Sequence, residues 1–310
     1  MDVPAALSSS LEGRGQLSPG LSLLRWRSAM KKILMATDLS ARFDRALLRA
    51  IAMVEEFKAE LEIVHIVDES LIEAITLQHE AAARAAIEQQ IGALPQGSTA
   101  TITQRVVRGV DYLGIIQRSE EYGADLIVLG IHRHDAREMF QGTTAERVLR
   151  YGRLPVLVVK DAVKGPYRRA VVAVDLSAHA QAAAGMAARL VPKGEVHLVH
   201  AARRPFTAFL GHETQNQLIR DERARISAVL AESTRQLAAE LGDAAPRFEI
   251  VLREGQVPRV IRDQIADLRP DLVAIGTHGR SGIAHAILGS AAEDLLADAP
   301  VDVMAVKARM

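Results

Sequence analysis

The chain has 310 residues, no cysteine, 38 basic and 38 acidic residues, 49% hydrophobic residues and only 4% aromatics. That length suits two domains rather than one. Balanced charge argues against a nucleic-acid or anionic-membrane surface, and the missing cysteines exclude disulfides, thiolate catalysis and cysteine-held metals. No apolar run approaches the ~20 residues of a membrane span, so a cytoplasmic protein with no nucleic-acid or membrane partner is expected.

Residues 1–29, "MDVPAALSSSLEGRGQLSPG…", are rich in Ser, Gly and Pro and show no periodicity. They read as a disordered tail, without the basic-then-apolar order of a secretory signal. Met30 stands directly before the first strand-like run, which makes it an alternative start. From there short β-branched runs alternate with amphipathic helical stretches, the pattern of βαβ units with strands buried on both faces. "KKILMATDLSA" opens the series, followed by "LEIVHIV", "ADLIVLG" and "LPVLVVK". After a break at Gly165 and Pro166 the series starts again. "RRAVVAVDLSA", "EVHLVHA", "PDLVAIG" and "APVDVMAVK" repeat the first set in order. Five strands are expected in the second copy, near 169–174, 195–200, 247–252, 271–275 and 301–306. The helical stretch from 212 to 242 is longer than its counterpart at 70–94 and reads as a solvated amphipathic helix. The chain thus divides into a first domain at 30–161, a linker at 162–167 and a second domain at 168–308.

The stretch "IGTHGRSGIAHAILGS" (275–290) follows the fourth strand of the second copy. In an open parallel sheet that edge is where ligands sit. Gly276 and Gly279 would let backbone N–H groups approach a phosphate. Gly289 and Ser290 would open a helix whose N-terminal donors and partial positive charge favour an anion. These glycines could instead serve only a long loop and a helix cap. The first copy, "GIHRHDAREMFQGTT", has one residue fewer between its flanking glycines and nothing matching Gly279. Asp135 and Glu138 add negative charge there, partly offset by Arg133, His134 and Arg137. Its nucleotide site reads as degenerate, although Gly142 and Thr143 still match the final pair.

G-x₂-G-x₉-G-S at the end of a fourth strand resembles the ATP-binding signature of the universal stress protein family, and the likeness covers both halves from about 30 to 308. The resemblance implies two tandem Rossmann-like domains of the adenine nucleotide alpha hydrolase-like type, each a five-stranded parallel sheet flanked by helices. It implies a stress-response protein that binds ATP, with or without Mg²⁺, as a regulatory ligand. Phosphates would lie at Gly276, Gly279, Gly289 and Ser290, Asp175 near the ribose and phosphates, and the Ala201 backbone at the adenine edge. It also implies that the two halves pack as a pseudo-dimer, with the fifth strands "VLVVK" and "VDVMAVK" as the contact edges and a homodimer of whole chains open. Asp175 and Asp38 have a second reading as caps of the helices that follow, which for Asp38 is the better one. A scaffold without nucleotide and a slow ATPase remain as alternatives. No catalytic residue and no metal ligand is assigned.

Other constellations carry less. His132, His134 and Asp135 could suggest a metal but read better as a polar loop, and His278 and His285 read as isolated loop residues. His65 and His200 end matching strands and read as structural. The lysine P-loop, the dinucleotide fingerprint and the nucleophile elbow are all missing.

Overall fold

The computed structural model describes residues 30–40, 43–94, 100–131, 143–202, 212–278 and 288–308. The expected tail at 1–29 and Gly279 lie outside the described residues, as do His132, His134, Asp135, Glu138, Gly142, Gly282 and His285. The first copy runs β1 (Lys32–Thr37), α1 (Phe43–Phe57), β2 (Glu60–Val67), α2 (Glu73–Gly92), β3 (Thr101–Arg108), α3 (Asp111–Tyr122), β4 (Leu126–Gly130), α4 (Thr144–Tyr151) and β5 (Val156–Val159). The second runs β6 (Arg169–Ala173), α5 (Ala178–Leu190), β7 (Glu195–Ala202), α6 (His212–Leu241), β8 (Arg247–Glu254), α7 (Val257–Leu268), β9 (Leu272–Gly276), α8 (Ser290–Asp298) and β10 (Asp302–Val306). All five strands expected in the second copy are present, with β7 and β8 each continuing two residues further. Helix α6 has 30 residues against 20 in α2, as its sequence suggested.

The strands form one sheet in the order β3-β2-β1-β4-β5-β10-β9-β6-β7-β8. Pairing is parallel within each copy. The exception is the seam, where β5 and β10 run antiparallel with Leu157 opposite Met304. The two fifth strands are therefore the joint between the copies. Because strand side chains alternate between faces, the sheet carries two cores. Ile33, Met35, Val172 and Met304 pack under α1, α2, α5 and α6. Leu34, Val171, Val303 and Ala305 pack under α3, α4, α7 and α8. Each core runs across the seam.

The same backbone hook starts each copy. Asp125 accepts from the backbone N–H groups of Lys31 and Lys32 at 2.8 and 3.0 Å. Asp271 accepts from those of Arg168 and Arg169 at 2.8 and 2.9 Å. In each copy the chain leaves the first strand toward opposite sides of the sheet, with β2 and β4 flanking β1 and with β7 and β9 flanking β6. The crevice at the carboxyl end of β1 and of β6 is the switch point of each copy.

Candidate functional site

In the second copy the crevice is built from four short pieces. Asp175 and Ser177 follow β6. The Asp175 carboxylate accepts from the Ser177 backbone N–H at 3.0 Å, closing a turn. The Ser177 hydroxyl then accepts from the Ala180 backbone N–H and caps α5. The reading of Asp175 as the helix cap is corrected: Ser177 does that work, and Asp175 shapes the turn before it. In the first copy Asp38 accepts likewise from the Ser40 N–H at 3.0 Å, and the residues that lead from it into α1 lie outside the described ones. Between aspartate and serine the chain adopts a left-handed conformation at a non-glycine residue in both copies, with φ 60° at Leu39 and 65° at Leu176. Such a backbone costs about 1–2 kcal/mol. Leu176 is buried, so packing of its side chain holds the strained turn. Strain kept in both copies at the ligand edge is the kind found at binding sites. No single-residue propensity forecasts it, although the doubled Asp-Leu-Ser was visible.

Gly276 ends β9 and Gly289 precedes α8. A Cβ on Gly276 would lie 2.7 Å from the His179 carbonyl carbon and 2.8 Å from the Ala180 nitrogen. The glycine there lets the first turn of α5 rest on the strand, a packing need that the sequence reading did not anticipate. The Gly289 N–H donates to the Thr277 carbonyl at 2.9 Å, tying the start of α8 to the end of β9. Gly289 is the N-cap of α8 and supplies no side-chain cap. Its carbonyl accepts from Ala292 and Glu293. The N–H groups of Ser290 and Ala291 have no acceptor among the described residues, as expected for the first turn of a helix. The Ser290 hydroxyl stands beside them. Ala201, half-buried at the end of β7, pairs with Arg253 of β8 and packs against the Leu34-side core.

Two histidines complete the rim. The His179 and His278 rings lie 5.1 Å apart, so His278 is part of a pair and not the isolated loop residue expected. The Nδ1 of His179 accepts from the Ala308 backbone N–H at 2.9 Å. Burial, with His278 and Lys307 nearby, pushes the His179 pKa below 6.5, against the opposing pull of Asp175. His65 and His200 play the structural part foreseen for them. Their Nδ1 atoms bond the carbonyls of Thr37 and Val174, at 2.8 and 2.7 Å, and lace the second strand of each copy to the end of the first.

The helix matching α8 in the first copy starts differently. At the N-terminus of α4 the Thr143 hydroxyl accepts from the Glu146 N–H at 3.2 Å, and the Glu146 carboxylate accepts from the Thr143 N–H at 2.9 Å. This is a closed capping box. Ser290 and Glu293 offer the same residue types at the same spacing, yet Glu293 turns to Arg150 of α4, 3.8 Å away. The N-cap N–H is taken in both copies, by the Glu146 carboxylate in α4 and by the Thr277 carbonyl in α8, and the next two N–H groups of each helix have no acceptor among the described residues. Among the described residues no group of three or more His, Asp or Glu side chains is placed to hold a metal ion, and no helix is long and apolar enough to cross a membrane.

A repeated α/β unit with a crevice at each switch point defines a tandem Rossmann-like protein. The sequence model of the universal stress protein family matches residues 30–160 and again 166–307, and the chain belongs to that family. It is similar to the universal stress protein in the QAH/OAS sulfhydrylase 3′ region of Thermus aquaticus, 28% identical over 142 residues, 46% of this chain and 99% of that one. It is also similar to the universal stress protein A homolog 1 of Coxiella burnetii, 28% identical over 140 residues, 42% of this chain and 95% of that one. Among solved structures, a universal stress protein from Archaeoglobus fulgidus superposes with TM-score 0.67 at 19% identity, covering 90% of this chain and 97% of its own. A universal stress protein from Pseudomonas aeruginosa covers 91% and 94% at TM-score 0.55 and 20% identity.

Proposed function

We propose that the second domain, residues 168–308, binds ATP as a regulatory ligand in a cytoplasmic stress response. The observation that carries this reading is the open N-terminus of α8. Its Ser290 and Ala291 N–H groups and the Ser290 hydroxyl gather at the switch-point edge, where the helix supplies about half a positive charge. Each hydrogen bond to a phosphate oxygen would contribute about 1.5–3 kcal/mol, so several such donors together would help hold a triphosphate without a lysine. The fit to a triphosphate is supported by this donor set and by the Gly276 and Gly289 contacts that bring strand end and helix start together. Gly279, outside the described residues, would add a further backbone donor. Asp175 would meet the ribose and phosphate side, with Mg²⁺ as an optional bridge, and the Ala201 backbone would meet the base. Occupancy would bias the conformation of the segment between Thr277 and Gly289 and so its association with a partner. The pairing of β5 with β10 is then an internal counterpart of a two-subunit contact.

The test is calorimetric titration of the full chain with ATP, before and after Gly289→Asp. Aspartate is a favoured N-cap, and φ at Gly289 is −66°, open to any residue. It would close α8 with a carboxylate, as Glu146 closes α4. Affinity should fall at least tenfold, with the new cap offsetting the tight 3.3 Å approach of its Cβ to the Thr277 carbonyl oxygen. Equal affinity in both proteins would refute the assignment.

A further inference from the structure

The outer helices of the two copies are finished differently. In the second copy Arg262 of α7 pairs with Asp294 of α8 and reaches Asp298 at 3.9 Å, so charge covers the groove between these helices. In the first copy Ile116 takes the place of Arg262, each being the sixth residue of its helix. Tyr151 takes the place of Asp298, each being the last of its helix. Tyr151 is 54% exposed, and its ring lies 5.5 Å from that of Tyr112. Leu113, a helical neighbour of Ile116, is 49% exposed. Among the described residues nothing covers this strip. We propose that it is the docking face for the chain's own N-terminal segment, Leu21 to Trp26. The inference does not depend on nucleotide in either domain.

The chain enters β1 pinned to the end of α3. Asp125 holds the Lys31 and Lys32 N–H groups, and the Lys32 ammonium donates to the Tyr122 carbonyl at 3.2 Å. Trp26 stands five residues before Lys31, a reach of up to about 17 Å. From Tyr122 back to Ile116 is about 9 Å along the helix, and to Tyr112 about 15 Å. The strip therefore lies within the span of the segment. Composition changes at the same place. The Ser, Gly and Pro richness ends at Gly20, and the "LSLLRWR" that follows is apolar and basic. Its leucines and indole suit Leu113, Ile116 and the two tyrosines, since aromatic rings favour one another. Arg25 and Arg27 flank the indole, and Glu120, one turn beyond Ile116, is exposed and of opposite charge. The stretch that leads into β6 is held elsewhere. Its Tyr167 hydroxyl donates to Asp302 at 2.6 Å, and its Gly165 carbonyl accepts from Arg49 at 2.8 Å. The copy whose leading stretch is held elsewhere has the charged groove, and the copy preceded by an apolar segment has the apolar one.

Trp26 is the one tryptophan of the chain, so tryptophan emission reads this segment alone. In the full chain its maximum should lie to the blue of that in urea, with weaker quenching by acrylamide. Ile116→Arg combined with Tyr151→Asp copies the charged groove of the second copy. It should return the emission to the unfolded position while the thermal melt stays cooperative. A second measurement leaves the domains unaltered. The chain has no cysteine, so a nitroxide on Ser22→Cys is unique. It should broaden the methyl resonances of Leu113 and Ile116 and leave those of Ile261 and Ile265 sharp. Emission at the unfolded position in the full chain, a blue shift that survives the double variant, or broadening that misses Leu113 and Ile116 would each overturn the proposal. A blue shift lost on dilution would overturn it too, and would mark the face as a contact between two chains.

Discussion

The Lys160 ammonium of the first domain donates to the Leu295 carbonyl of the second at 3.2 Å, at the closing end of α8. It also reaches the Ala297 carbonyl at 3.3 Å. Lys307 mirrors it, donating to the Arg150 and Gly152 carbonyls at the end of α4 at 3.3 and 3.4 Å. Each lysine follows a fifth strand and caps the helix whose other end faces the crevice of the opposite copy. A cation at a helix C-terminus is favourable, so each domain braces the ligand helix of its neighbour. The joint is reinforced by Asp302, which accepts from the Lys160 and Asp161 N–H groups and from the Tyr167 hydroxyl, and pairs with Arg49 at 3.3 Å.

Burial holds the Lys160 pKa down to about 8 from its ordinary 10.5. Between these values the unfolded chain carries the proton and the folded chain does not, so stability rises with pH. The contribution is complete above pH 10.5 and is lost as pH falls through about 8. Lys160→Met should remove this slope. Urea unfolding at intervals from pH 7.5 to 10 should show the wild type gaining on the variant by at most about 1.4 kcal/mol per pH unit. A constant difference across the range would mean that Lys160 titrates as an exposed lysine.

The two helix starts make opposite predictions from near-identical sequence. Thr143→Val opens the capping box of α4 and should cost about 1 kcal/mol. Ser290→Ala removes a hydroxyl that caps nothing among the described residues, and should change stability by less than about 0.5 kcal/mol. Urea denaturation of the two variants at pH 7 measures both. Equal losses would place a closed box at both helices.

Much of this was legible in the chain. The repeat and the five strands of the second copy follow from apolar runs and breakers, because strands buried on both faces leave a continuous signal, whereas the seam at "VLVVK" and "VDVMAVK" was implied only by the family resemblance. What sequence could not settle was which of two chemically equivalent options each residue takes. "TTAE" and "SAAE" are both capping-box sequences, but Thr143 is the N-cap of α4 while Gly289 is that of α8, which puts Ser290 inside the helix and leaves Glu293 near Arg150. Asp175 and Ser177 are both good N-caps, and the left-handed turn at Leu176 decides between them. Gly276 reads as a phosphate glycine because it stands at a strand end. That α5 occupies the space of its missing Cβ is a fact about a helix a hundred residues earlier.

Gly276→Ala should therefore lose stability before any question of ligand arises. Its new methyl would meet the His179 backbone at 2.7 Å, and overpacking of this kind costs about 1–3 kcal/mol. The matching Gly130→Ala would touch only the Ala46 side chain at 3.8 Å, an ordinary contact, and should be tolerated. Thermal melts of the two ligand-free variants make the comparison. If Gly276→Ala melts with the wild type, the packing explanation is wrong and its glycine is there for the ligand alone.

Acid should act first at the second domain through His179. Its pKa is lowered chiefly by burial and then by His278 and Lys307, so the folded chain prefers the neutral ring. The neutral ring is also what the Ala308 N–H requires, since it donates to the Nδ1 lone pair. The unfolded chain binds this proton near the ordinary 6.5. The stabilising contribution is thus complete above that pH and is lost as pH falls through the lower folded value. His179→Gln keeps a side-chain acceptor without the titration, and should flatten the loss of stability relative to wild type below pH 6.5. Protonation would break the tie to Ala308 just past β10 and set a second positive charge beside Lys307. The first loss should appear as faster hydrogen exchange at the Ala308 amide, ahead of global unfolding. Exchange at Ala308 that stays constant from pH 7 to 5, after correction for the intrinsic rate, would show that the ring does not titrate in this range.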